Sequence, residues 1–276
     1  MPTSSRFRSQ IVFIVLLVTL LLFLAAFRFQ RRELAHALLN GSTSSSRVSQ
    51  LPATIVWAWE RPERLEFIDP EKVAIAFLAK TIYLRAGHVI TRPRLQPLSL
   101  PPAARVIAVA RIESEGPADH LRGPALSAAQ ITETASTISE LGSLPNVIMV
   151  QVDFDATTNE RAFYRELLTQ LRAKLPPSTA LSITALASWC KGDNWLEDLP
   201  VDEAVPMLFR MGIERKQFLS GLASGEVFTS KPCRSSAGVS TDEPLTELPH
   251  VQRLYVFNPR VWSPDTLSKT MEAYER

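Results

Sequence analysis

The segment Gln151-Val-Asp153-Phe-Asp155 puts two carboxylates two residues apart within an otherwise apolar run. In an extended strand such a pair shares one face, and Val152 and Phe154 take the other. If that face is enclosed, the two acids repel in a low-dielectric site, and one acquires a raised pKa suited to acid catalysis. The bland alternative makes Asp153 a buried structural acid held by backbone or arginine, and Asp155 the cap of a following helix. A glycosidic bond is one target for paired acids. It needs a second carboxylate about 5–5.5 Å away for retention, or about 6.5–9.5 Å for inversion. Glu243, then Asp242 and Glu60, are the candidates, with solvated loop acids as the competing reading.

The elements that position these residues are apolar or β-branched runs, several of which end in a polar or charged residue. They cover 54–60, 73–79, 105–113, 147–155, 181–187, 204–210, 237–241 and 253–257. Near-continuous apolar runs of this length are expected of parallel strands covered by helices. Ser127-Ala-Ala-Gln130 is a capping box opening a helix to about Leu141. The segment 159–174 places Phe163, Leu167, Leu168 and Leu171 on one helical face before Pro176-Pro177 ends it. Further helices are expected over 212–222 and after Ser263-Pro264-Asp265, and a short one over 193–198. Residues 81–91 read as a hairpin turning at Ala86-Gly87. This pattern predicts a (β/α)8 barrel of TIM type with reduced helices in its first half, filling residues 51–276.

In such a barrel the strand C-termini carry function. They gather Glu60, Arg111, Glu113, Asp153, Asp155, Ser188, Trp189, Arg210, Thr241, Asp242, Glu243 and Asn258. Carboxylates, arginines and tryptophan suit a neutral polyhydroxyl ligand: aromatic faces stack on sugar rings, and charged groups hydrogen-bond hydroxyls. Trp59, Glu60, Arg111, Glu113, Trp189, Arg210 and Asp242 are therefore expected to bind substrate, with Asp155, Asp153 and Glu243 as the catalytic acids. Trp189 and Trp195 either wall a sugar subsite or, for Trp195, pack the short helix.

Other chemistries lack their parts. Neither Gly-x-Gly-x-x-Gly nor a P-loop follows any strand, which argues against an open doubly wound sheet; no nucleotide or other cofactor is expected. The four histidines, His36, His88, His120 and His250, have no metal-ligand spacing, so no metal is expected. A net charge of +2, with no basic block outside the N-terminal flanks, gives no reason to expect nucleic acid.

Residues 11–27 are uncharged and free of Pro and Gly, bracketed by Arg6 and Arg8 before and by Arg28, Arg31 and Arg32 after. At about 1.5 Å per residue they just span a bilayer core. The segment reads as an uncleaved anchor behind a short flank, 1–10, with a cleaved signal peptide as the alternative. A polar, Ser-rich tether follows within 28–50. The expected location is the inner membrane, single-pass, with the C-terminal domain periplasmic. Cys190 and Cys233 are the only cysteines. In an oxidising compartment a lone pair of loop cysteines reads as a disulfide, with two unrelated thiols as the alternative.

The strings VWAWERPERLEF, VAIAFLAKTI, RPRLQPL, QVDFDAT, LSITALASWC, VDEAVPMLFRMG and GVSTDEP resemble the bacterial domain-of-unknown-function 3142 family over residues 52 to 262. The family has no established activity, so this resemblance implies little about chemistry. More distantly, the fourth and sixth runs are similar to chitinase-like glycoside hydrolases, which carry Asp-x-Asp-x-Glu and Met-x-Tyr-Asp at those places. Asp153 and Asp155 match the two aspartates. Thr157 stands where the catalytic Glu would be, and Met207-Leu-Phe209-Arg210 replaces the Tyr and Asp. The resemblance thus implies a membrane-anchored, glycoside-hydrolase-like barrel acting on or binding carbohydrate or envelope glycan, and leaves open a catalytically inactive glycan-binding or scaffolding barrel.

Overall fold

A computed structural model of the chain describes residues 47–114, 124–213, 215–245 and 250–274. The expected anchor 11–27, its flank 1–10 and most of the tether lie outside the described residues. Among the described residues no helix is long and apolar enough to cross a membrane.

The eight apolar runs form eight parallel strands that close into a barrel. In chain order the strands are β1 (Thr54–Ala58), β2 (Glu63–Arg64), β3 (Val73–Arg85), β4 (His88–Pro93), β5 (Leu98–Ser99), β6 (Val106–Ser114), β7 (Val147–Asp153), β8 (Ala180–Leu186), β9 (Glu203–Met207), β10 (Ser236–Ser240) and β11 (Arg253–Phe257). The barrel runs β1-β3-β6-β7-β8-β9-β10-β11 and shuts where β1 pairs with both β3 and β11. β4 lies outside it, antiparallel on the upper half of β3, and β2 pairs with β5 in a separate ribbon.

The expected hairpin is present: Ala86 takes a left-handed φ of 46° at its tip. The strand feeding it is longer than expected, because 73–79 and 81–85 form one strand. A register shift against β6 between Leu78 and Lys80 accommodates the join.

Among the described residues, four α-helices cover the barrel: α1 (Ala128–Ser139), α2 (Arg161–Lys174), α3 (Arg215–Ala223) and α4 (Pro264–Tyr274). They follow the third, fourth, sixth and eighth barrel strands. Helix α1 begins with the predicted reciprocal cap, in which the Gln130 amide donates to Ser127 Oγ and the Ser127 amide to Gln130 Oε1. Helix α2 buries Phe163, Tyr164, Leu167, Leu168 and Leu171 against the wall, each contributing about 1.5–3 kcal/mol at most. Residues 193–198 are irregular and turn-like, so the short helix expected there is absent; Asp193 uses its carboxylate to accept from the Trp195 amide and to pair with Arg161. The end of the expected tether is packed rather than free. Arg47 pairs with Asp202 at 2.7 Å, and Val48 and Leu51 join the apolar cluster that runs up the lumen.

That cluster, from Ile55, Trp57, Ile107 and Met149 to Val205 and Tyr255, is separate from the larger one between barrel and helices. The lumen also holds polar groups. At its lower end the buried Glu203 carboxylate accepts from Arg253 Nε and Nη2 at 3.0 and 2.9 Å, and from the hydroxyls of Ser236 and Tyr255. One layer up, Trp57 Nε1 donates to Gln151 Oε1 at 3.1 Å, and Gln151 Nε2 donates to Ser182 Oγ at 3.1 Å. Each of these lumen side chains thereby has a hydrogen-bond partner.

Cys190 and Cys233 form a disulfide with Cα atoms 5.8 Å apart. It joins two short 3₁₀ turns, 187–190 and 231–234, and closes a loop worth on the order of 3–4 kcal/mol.

Candidate functional site

Side chains that alternate inward along the strands reach the C-terminal mouth of the barrel and line a cavity of about 330 Å³ there. Gln151 and Asp153 on β7 share one parity with Asp155 just past its end, as do Trp57 on β1 and Trp59 just past it; Val109 and Arg111 come from β6, and Thr184 and Leu186 from β8. Met207, Phe209, Arg210 and Phe257 complete the wall.

Asp153 is the buried member of the acid pair. Its Oδ2 accepts from Arg111 Nη1 at 2.9 Å and its Oδ1 from Thr184 Oγ1 at 2.7 Å. Arg111 also donates from Nε to Glu113 at 3.1 Å and lies 5.7 Å from the Trp59 ring. Burial opposes the charge on Arg111, but Asp153, Glu113 and Asp155 outweigh it and raise its pKa.

Asp155, two residues on, opens toward the mouth, and no described residue hydrogen-bonds its carboxylate. Its pKa is nonetheless raised: surrounding barrel atoms strip part of its water, Asp153 repels it, and Arg111 compensates only in part. The cap of the following turn is Thr157, whose amide and hydroxyl both donate to Glu160 at 2.7 Å. Asp155 is therefore relieved of the capping role considered for it.

The aromatic wall is continuous. Phe209 and Phe257 stack with ring centroids 5.5 Å apart and planes 7° from parallel. Trp59 meets Phe257 edge-on at 6.3 Å, and Trp57 meets Phe209 at 6.4 Å.

The other expected site residues lie elsewhere. Glu60 leaves the cavity wall and takes a bidentate clamp from Arg92 of β4, one arm at 2.8 Å, which lowers its pKa. Trp189 is buried beneath the loops, edge-on to Trp195 at 4.9 Å; it walls no subsite in this cavity, because the disulfide turn holds it on the outer side of the barrel. Glu113 stands behind Arg111 rather than in the wall.

Asp242 and Glu243 are both committed to Arg210. Its Nη2 reaches Asp242 at 2.6 Å and its Nη1 pairs with Glu243, to which Arg215 also approaches at 3.4 Å. The Arg210 backbone sits at a left-handed φ of 54°. That conformation costs about 1–2 kcal/mol in a residue with a Cβ and is held by the Arg210 amide, which donates to both Glu243 oxygens at 3.2 and 3.3 Å. The Ser240 hydroxyl and then Arg210 hold the Asp242 pKa down.

Sequence reasoning passed over Trp57, Gln151, Thr184, Phe209 and Phe257. The parity that marks Asp153 and Asp155 also marks Gln151 on the same run and pairs Trp57 with Trp59 on the first, so two of these five were legible. Among the described residues no three His, Cys, Asp or Glu side chains cluster to hold a metal ion.

A family model described as "Domain of unknown function (DUF3142)" matches residues 105–206. That span runs from β6 to the end of β9 and contains Arg111, Asp153, Asp155 and Thr184. No curated protein and no solved structure matches the chain.

Proposed function

We propose that the mouth cavity binds carbohydrate of the cell envelope, with Asp155 as the acid that orders the ligand, because the family match assigns no activity and the chemistry must be read from the site. The observation that carries the reading is a carboxylate at the cavity mouth without a hydrogen-bond partner among the described residues, standing over an Arg111–Asp153 ion pair beside an aromatic wall. Sugar hydroxyls would satisfy Asp155 and Arg111, and a ring face would lie on Trp59, Phe209 or Phe257.

Hydrolysis is the second reading. The raised Asp155 carboxyl favours it, as a proton donor poised above Asp153. Against it, the expected partner acids are engaged: Glu243 by Arg210 and Arg215, and Glu60 by Arg92. The distant chitinase likeness fits the binding reading better, since Thr157 serves as a cap where a catalytic Glu would stand.

A glycan array and a hydrolysis screen on the full chain test both. At least one glycan should bind, without turnover, and Trp59→Ala should weaken that binding about tenfold, the equivalent of about 1.4 kcal/mol of lost stacking. An array with no bound glycan overturns the proposal, and turnover abolished in Asp155→Asn moves the assignment to hydrolase.

In this reading the barrel is a (β/α)8 barrel, with four α-helices among its described residues, tethered to the inner membrane through residues 11–27 and exposed to the periplasm. The Cys190–Cys233 disulfide supports an oxidising compartment. A C-terminal alkaline phosphatase fusion should be active in cells; an inactive fusion reverses the orientation.

A further inference from the structure

The charges around the mouth cavity narrow the kind of sugar it can take. Two cations stand on its lining, Arg111 and Arg210. Each is already held by two carboxylates: Arg111 by Asp153 and Glu113, and Arg210 by Asp242 and Glu243. Arg215 is no reserve, since it lies 3.4 Å from the same Glu243. Asp155 is the opposite case. It lines the cavity at an exposed position, and among the described residues no cation forms an ion pair with it.

We propose that the ligand is a carbohydrate bearing an unsubstituted amino group, whose ammonium pairs with Asp155 beside the aromatic wall. The inference rests on the carbohydrate reading of this cavity.

Charge matching separates three classes of sugar. A uronate or a phosphorylated sugar would have to displace a carboxylate from Arg111 or Arg210 before it found a partner. A neutral sugar would cover Asp155 and remove its water, returning hydrogen bonds but no countercharge. An ammonium returns both. N-acylation of that amine removes the charge, so the free amine is the form selected.

The surroundings of Asp155 favour the same choice. Partial desolvation raises its pKa first, and after it the repulsion from Asp153 outweighs the attraction of Arg111. The neighbours thus leave a negative potential there, which a ligand cation relieves. The aromatic wall is compatible with a cation as well as with a sugar face: the Arg111 guanidinium already lies 5.7 Å from the Trp59 ring. The whole chain carries a net charge of +2, so a preference for cations would arise in the cavity and not from the overall field.

The test uses four β-1,4-linked disaccharides of one backbone: cellobiose, the diamine with an amino group at the second carbon of each ring, its di-N-acetyl form, and cellobiouronate. Cyclohexylamine serves as an amine without a sugar. Each is titrated calorimetrically into the full chain in nanodiscs of zwitterionic lipid, with empty nanodiscs as reference, at a pH where the amines are protonated. The diamine should bind about tenfold tighter than cellobiose or the di-N-acetyl form, and the uronate weakest. In Asp155→Asn the diamine should fall to the level of cellobiose. Added salt should shrink its advantage in the wild type, because an ion pair open to solvent is screened.

A diamine bound no tighter than cellobiose, or tightest binding by the di-N-acetyl form or the uronate, overturns the amino-sugar proposal while leaving the carbohydrate reading intact. Cyclohexylamine bound as tightly as the diamine overturns the carbohydrate reading, and the amino sugar with it. An amine preference that persists in an Asp155→Asn protein melting like the wild type puts the ammonium elsewhere and overturns the proposal, as does an absence of binding by every disaccharide.

Discussion

Glu203→Ala should lower stability by about 3–5 kcal/mol, the cost of leaving one partner of a buried ion pair alone. The Glu203 carboxylate is the common acceptor for Arg253, Ser236 and Tyr255 in the lower lumen. Its removal strands a guanidinium and two hydroxyls where water does not reach. Thermal melting should fall by roughly 6–20 °C for a domain of this size. Replacing Glu203 and Arg253 together by Met should restore most of the loss, because the desolvation of both charges disappears with them. A loss below about 1 kcal/mol in the single variant would show that the network is not holding the lumen.

Asp153, which ends β7, and Asp155, two residues past it, should differ in what they cost the fold. Asp153→Ala frees Arg111 and Thr184 from their shared acceptor, at about 2–3 kcal/mol, the lower range applying because Arg111 keeps some contact with solvent. Ligand binding should fall with it by about tenfold or more, since Arg111 loses the anchor that sets its position over Trp59. Asp155→Asn should weaken binding about tenfold or more, the value of a hydrogen bond to a charged group, and leave the fold intact.

The pH dependence separates them further. Because the folded pKa of Asp155 is raised, the folded state holds that proton more tightly than the unfolded chain does. Its destabilising effect is absent below the unfolded pKa and grows as pH rises through the folded one. Asp155→Asn should therefore match or exceed the wild type in stability at neutral pH, and that advantage should vanish under acid conditions. Melts from pH 3 to 8 beside a binding assay check both variants. An Asp155→Asn protein destabilised as much as Asp153→Ala would make Asp155 structural and the proposed site wrong.

What the sequence discloses depends on whether a residue's partner is local. The strands are legible because both of their faces are covered, so each is a run of apolar residues with its own boundaries. Ser127 and Gln130 announce α1 because both halves of that cap lie within four residues. The Asp153–Asp155 parity is likewise local, and it places both acids toward the mouth.

Non-local partners are invisible by the same logic. Glu60 and Arg92 are clamped through β4, whose packing on β3 no periodicity announces. Glu243 reads as a free carboxylate until Arg210 and Arg215 are brought beside it. Trp189 is placed by the distant Cys233 turn, and Glu203 by strands that follow it thirty-three and fifty residues later. The family match covers one segment, 105–206, without saying which of its residues face the cavity.

Barrel closure also sets a clock. Thr54 pairs with Leu254 and Trp57 with Phe257, so the seam joins segments about two hundred residues apart. At ribosomal rates of about 5–20 residues per second, β1 waits roughly 10–40 s after synthesis before its second neighbour exists. During that interval its lumen-facing Ile55 and Trp57 have no closed interior to enter, and one edge of the strand is without a partner. Such long-range pairing makes folding slow. The nascent chain therefore needs protection that the finished barrel does not, and the variants most prone to aggregate should be those that delay β11 rather than those that weaken β1.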